Sequence, residues 1–196
     1  MIYVGRGLAP AAMERNLFMS IINRFRNFFA SKPEDKDDED APAMEMDEIW
    51  KLSDTTDFLI AINERLNARS SYGEQLERLS AEEQVFYICN LLEEEVNNGG
   101  FDQFLYNSSG NYAHRVEACL RIIGANKTAD ICRTAFSAYG KPIPQDRAKR
   151  EKFLDKMEND EISDILSDCD DQFYEYPDPL EELCYQYILS HREKFS

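Results

Sequence analysis

The chain has 196 residues, 43% of them hydrophobic, with 12 Phe and 10 Tyr, which is enough for one compact domain with a real core and too apolar for a disordered chain. Its longest apolar runs, such as DFLIAI at 57–62, fall far short of the roughly 18 residues that a membrane span needs. A net charge of −16 repels nucleic acid and attracts cations or basic proteins, so direct DNA binding is not expected.

The charge is segregated along the chain. Residues 1–32 carry a net +4 and residues 33–49 a net −8. Residues 1–31 read as a basic amphipathic helix, with Phe18, Ile21, Ile22, Phe25, Phe28 and Phe29 at helical spacing and Arg15, Arg24 and Arg26 among them. Arg24 and Arg26 interrupt the apolar region, so a signal peptide is not expected, and Met13 and Met19 offer alternative starts. Packing on the domain or a neighbour is favoured for this helix over contact with a membrane surface. Residues 32–48, KPEDKDDEDAPAMEMDE, have no apolar periodicity and read as an acidic disordered linker. Opposite charge makes a fold-back of the basic helix onto the acidic domain a hypothesis at this point.

From 49 to 196 the signals are helical. TTDFLIAINERLNAR starts at a Thr/Asp cap and sets Phe58, Ile60 with Ala61, and Leu66 on a stripe expected to be buried. In LSAEEQVFYICNLLEEEV, Ser80 and Glu83 form a capping box, and Val85, Ile88, Cys89, Leu92 and Val96 form an apolar seam. Val116, Leu120 and Ile123 repeat the pattern before Gly124, a natural left-handed stop. A further helix precedes Gly140, one or two acidic helices are expected over 145–176, and the last begins near Pro179. No strand-period segment of useful length appears, so the fold class is all-α, a single compact multi-helix domain. The five cysteines are odd in number and lack CxxC spacing; buried, reduced thiols and a cytoplasmic location are expected.

One stretch interrupts the helices: EEEVNNGGFDQFLYNSSGNYAH, residues 93–114. Gly99 and Gly100 are expected to close one helix in the left-handed region and to let another segment approach. Phe101, Phe104 and Leu105 return at helical spacing, and Asn107, Ser108, Ser109 and Gly110 make a second turn with side chains able to cap the next helix. Asn97, Asn98, Gln103 and Asn107 are more amides than turns and caps require. They serve either to satisfy freed helix ends or to line a small-molecule pocket. Glu93 to Glu95 and Asp102 read as a solvated helix face.

Beyond it, residues 151–182 carry a net −11. Asp155, Glu158, Asp160, Glu161, Asp164, Asp168, Asp170 and Asp171 form a dense helical set, a candidate surface for a basic partner. Phe173, Tyr174 and Tyr176 lie among these acids as a dimer seam or a cover of the core. Catalytic chemistry has little to work with. His114 and His191 are the only histidines, no nucleophile is paired with them in a known motif, and no phosphate loop is present. DCDDQF and ENDE lack the glycine and closing glutamate of a calcium loop, so no metal and no cofactor are expected.

From Glu94 to Gly124 the chain resembles the signature of a bacterial family catalogued as a domain of unknown function, whose best-known member is a DNA-mimic protein. The matched positions are Asn97, Asn98, Gly99, Gly100, Phe101, Gln103, Asn107, Ser108, Gly110 and Ala113. The resemblance, extending over roughly residues 55–190, implies an all-α, acidic, often dimeric protein whose carboxylates imitate duplex phosphates and occupy a DNA-binding protein. The expected partner is therefore a basic protein such as a transcription factor, without direct nucleic-acid binding, and a homodimer stays open. Two alternatives remain: a small-molecule or enzymatic pocket at the NNGGFDQF kink, and an immunity- or antitoxin-type protein with the same acidic surface and another target.

Overall fold

A computed structural model describes residues 44–195. The predicted basic helix and most of the linker lie outside the described residues. Among these residues all regular structure is helical: α1 (Met46–Ile49), α2 (Thr55–Ser70), α3 (Ala81–Tyr106), α4 (Ala113–Ile123), α5 (Asn126–Ser137), α6 (Arg147–Met157), α7 (Asp160–Tyr174) and α8 (Leu180–Ser190). Short 3-10 turns at Leu76–Arg78, Ser108–Tyr112 and Arg192–Lys194 complete the chain. The all-α expectation is met, and no helix among the described residues is long and apolar enough to cross a membrane. Residues 46–48, read from sequence as the end of the linker, belong to α1, which buries Ile49 and carries the chain into Trp50, packed on Phe58.

α3 is the central element, touching α2, α4, α6, α7 and α8. The sequence stripe predicts one buried face, but Val85, Phe86, Tyr87, Ile88 and Cys89 are buried in succession, so the helix is enclosed on all sides in its first half. Its start is the predicted capping box, Ser80 Oγ accepting from Glu83 N at 3.1 Å and Glu83 Oε2 accepting from Ser80 N at 2.7 Å. Glu83 is itself buried and ion-pairs with Arg69 of α2. α2 starts at Asp54, whose carboxylate caps Asp57 N, and packs through Phe58, Ile62 and Leu66, one residue per turn. Ile60 is only half-buried, because a period near four selects Ile62 instead.

α4 ends as predicted at Gly124, with φ +93°. All five cysteines are buried free thiols. The region read as one or two acidic helices is two helices of opposite character. α6 carries Arg147, Lys149, Arg150, Lys152 and Lys156 against Glu151 and Asp155, so the acidity belongs to α7 and the residues after it. A charge boundary drawn at residue 151 cuts α6 in half and hides this.

Glu83→Ala removes a cap and leaves Arg69 without its carboxylate. It is expected to cost about 1–3 kcal/mol, read as a lower urea midpoint with the helical circular dichroism of the folded state retained.

Candidate functional site

α3 is broken in its second half. Gly99 (φ −167°, ψ 29°) and Gly100 (φ 75°, ψ −176°) leave helical geometry, and the helix resumes at Phe101. Gly100 occupies a region open essentially only to glycine, and a Cβ there would overlap the Asp170 carboxylate. The expected left-handed closure is thus corrected: Gly99 is extended, and Gly100 serves the close approach of a side chain from α7.

Breaking a helix frees backbone groups that must find partners. Here α7 supplies both: Asp170 Oδ1 accepts from Phe101 N at 2.8 Å, and Tyr174 OH donates to Val96 O at 2.9 Å. Asn97 Nδ2 donates to Tyr176 OH at 2.5 Å, just beyond the end of α7. The apolar side of the joint is aromatic, with Phe101 edge-on to Phe173 of α7 and to Phe136 of α5, and Phe104 stacked on Phe136.

Two of the remaining amides converge on one carboxylate. Gln103 Nε2 and Asn107 Nδ2 donate to Glu95 Oε2 at 2.7 and 2.9 Å, and Ser109 Oγ lies 3.2 Å from Glu95 Oε1 and 2.8 Å from Phe104 O. The second turn therefore does not cap α4, which has no side-chain cap; its polar side chains face back across the break. Asn98 and Ser108 are exposed. Beneath the turn lies Arg150, wholly buried. Its guanidinium donates to Leu105 O, Asn107 O, Asn111 Oδ1, Pro144 O and Gln145 O at 2.6–3.2 Å. A Cβ on Gly110 would stand 2.6 Å from Arg150 Nε and from Leu105 O, which is why that position is glycine.

Glu93 to Glu95 are half-buried rather than a solvated face. Glu93 accepts from the Tyr176 hydroxyl, and Glu94 accepts from Asn63 and Asn90 at 3.0 and 2.8 Å. Burial is the main cause that pushes both carboxyls up to about 7; Glu181 and Glu94 add to it at Glu93, and Glu95 at Glu94. Asp102 is exposed, with its carboxyl raised by partial loss of hydration and by Glu158.

Of the eight candidate acids, Asp160, Glu161, Asp164, Asp168 and Asp171 are exposed on α7. At 3.6 residues per turn they fall within an arc of about 100°, opposite the buried Ile162, Leu166, Cys169 and Phe173. Glu175, at the helix end and missing from the sequence set, extends the row. Asp155 and Glu158 are exposed elsewhere, at the end of α6, where Tyr106 OH donates to Asp155 Oδ1 at 2.9 Å. Asp170 is half-buried at the break, and burial raises its carboxyl to about 6. His114 is exposed; His191 Nδ1 lies 2.8 Å from Tyr187 O. Phe173 is buried, Tyr176 is half-buried and Tyr174 is exposed, with the hydroxyls of both tyrosines bonded at the break.

The family model described as DMP19-like protein matches residues 77–191, from just before the capping box of α3 to the end of α8. The chain belongs to the DMP19-like family. The match takes in both the broken helix and the acidic helix docked on it, while α1 and α2 precede it. No curated protein and no solved structure matches the chain.

Two outcomes test this description of a DMP19-like domain. Gly100→Ala is expected to destabilise it by more than about 2 kcal/mol. Gly99→Ala, where φ is negative and the added Cβ meets the Gln103 side chain, costs less; chemical denaturation ranks the two. Glu93 and Glu94 bind protons more tightly in the folded than in the unfolded chain, so stability falls as pH rises from about 4.5 to about 7. The domain should melt higher near about pH 5.5 than near about pH 8, and Glu93→Gln with Glu94→Gln should raise stability at the upper pH by about 1–3 kcal/mol and flatten the profile.

Proposed function

We propose that the chain acts as a DNA-mimic-type interaction protein, with the outer face of α7 occupying the phosphate-binding surface of a basic DNA-binding protein. One observation carries this reading: the row Asp160, Glu161, Asp164, Asp168, Asp171 and Glu175. Fifteen residue steps of helix span about 22 Å, which gives roughly one carboxylate per 4 Å of helix axis against one phosphate per about 3.4 Å of duplex axis for each DNA strand. The row thus approaches the axial charge density of one strand over about six phosphates, on a rigid element. DMP19-like family membership supports the same reading.

A basic groove that normally exchanges counterions with DNA would meet the row in the same way, and the complex would weaken steeply with salt. A pocket at the break has less support, because Gln103 and Asn107 each direct an amide N–H at Glu95 and the Ser109 hydroxyl lies within reach of Glu95 and the Phe104 carbonyl. An immunity- or antitoxin-type role would use the same surface on another target.

Asp164→Lys with Asp168→Lys is expected to leave thermal unfolding within a degree or two of the parent and to lower partner affinity at least tenfold. The partner would be captured by cross-linking at low salt, and duplex DNA should displace the wild-type chain from it. Captured partners that bind no nucleic acid, or that duplex DNA fails to displace, would refute the mimic reading.

A further inference from the structure

The contact between the family signature and α7 has a directionality that apolar packing lacks. Ile162, Leu166, Cys169 and Phe173 bury one side of α7, but the hydrophobic effect that drives their burial is non-directional. Hydrogen bonds to fixed backbone atoms are not. Asp170 and Tyr174 stand one turn apart on the same edge of α7, and they bond to Phe101 N and Val96 O on either side of the break. Gly100, without a side chain, leaves the space that the Asp170 carboxylate fills.

We propose that Asp170 and Tyr174 are positioning residues that fix the rotation of α7, so that the broken helix sets which way the acidic row faces. The functional half of this statement rests on the row being the partner surface; the structural half does not. Asp170 then acts through the bond it accepts from Phe101 N, while the row acts through charges it presents to solvent. Slipping α7 by a single residue would turn the row by about 100° and carry most of it away from its present direction.

Spin labels on Ser167→Cys in α7 and Ala118→Cys in α4, both exposed sites, report the placement of α7 by pulsed electron resonance distances; the five native thiols are buried. The parent should give one narrow distribution. Asp170→Ala and Tyr174→Phe should broaden or shift it, whereas Asp170→Asn, which removes the same charge but keeps an oxygen to accept from Phe101 N, should restore it. Asp164→Asn should leave it unchanged. A narrow, unshifted distribution in Asp170→Ala overturns the proposal, as does equal broadening in Asp170→Asn, which would make charge rather than the bond responsible. Should Asp170→Ala fail to fold, Tyr174→Phe decides by the same criterion. Absence of any DNA-binding partner would sink the mimic reading and leave these distances standing.

Discussion

A helix broken inside a protein exposes donors and acceptors where water cannot reach them, and each one left unpaired costs about 1–3 kcal/mol. The break at Gly99–Gly100 is tolerated because α7 reaches it from outside, with a carboxylate for the freed amide of Phe101 and a hydroxyl for the freed carbonyl of Val96. α7 cannot move away without orphaning both groups. At Gly100 any other residue would set its Cβ in the space of the Asp170 carboxylate. The two helices are therefore folded as one unit, joined through a point that neither could maintain alone.

The same economy governs the residues around the break. Consecutive helix positions point about 100° apart, so Glu93, Glu94 and Glu95 address three different elements: Tyr176 beyond α7, Asn63 on α2, and the Gln103, Asn107 and Ser109 group after the break. Half-burying three adjacent carboxylates is unfavourable, and the raised Glu93 and Glu94 carboxyls record that cost. Below the second turn, Arg150 gathers the carbonyls of Leu105 and Asn107 at the end of the resumed helix, where a cation also meets the negative end of the helix dipole.

Local physics was legible in the sequence. The Ser80/Glu83 box, the stop at Gly124, the seam from Val85 to Val96 and the position of the break all follow from neighbours within a few residues. The partners of the polar groups were not, because they come from far along the chain: Asn97 and Tyr176 are 79 residues apart, Arg150 and Leu105 are 45 apart. Composition reads a triple glutamate as solvated and an arginine as exposed, and only the apolar Phe153 and Leu154, three and four residues further on, hint that Arg150 faces inward. Asp170 sits among acids in DCDD, residues 168–171, yet helical periodicity puts it off the arc shared by Asp164, Asp168 and Asp171. That angular test separates it from the row without any knowledge of Phe101.

The two halves of the unit differ in how much chemistry fixes each position. At the break, Gly100 has no substitute with the same backbone freedom, and Glu95 needs donors of defined length and direction from Gln103, Asn107 and Ser109. On the outer face of α7 the requirement is only negative charge at helical intervals, which Asp or Glu meets equally and which one residue can lose without disturbing packing. A sequence signature of this fold must therefore lie at the break, even though the partner surface we propose lies on the helix it holds. Family membership then bears on how α7 is held, and in the mimic reading proposed above the pattern of carboxylates along it sets what it can hold in turn.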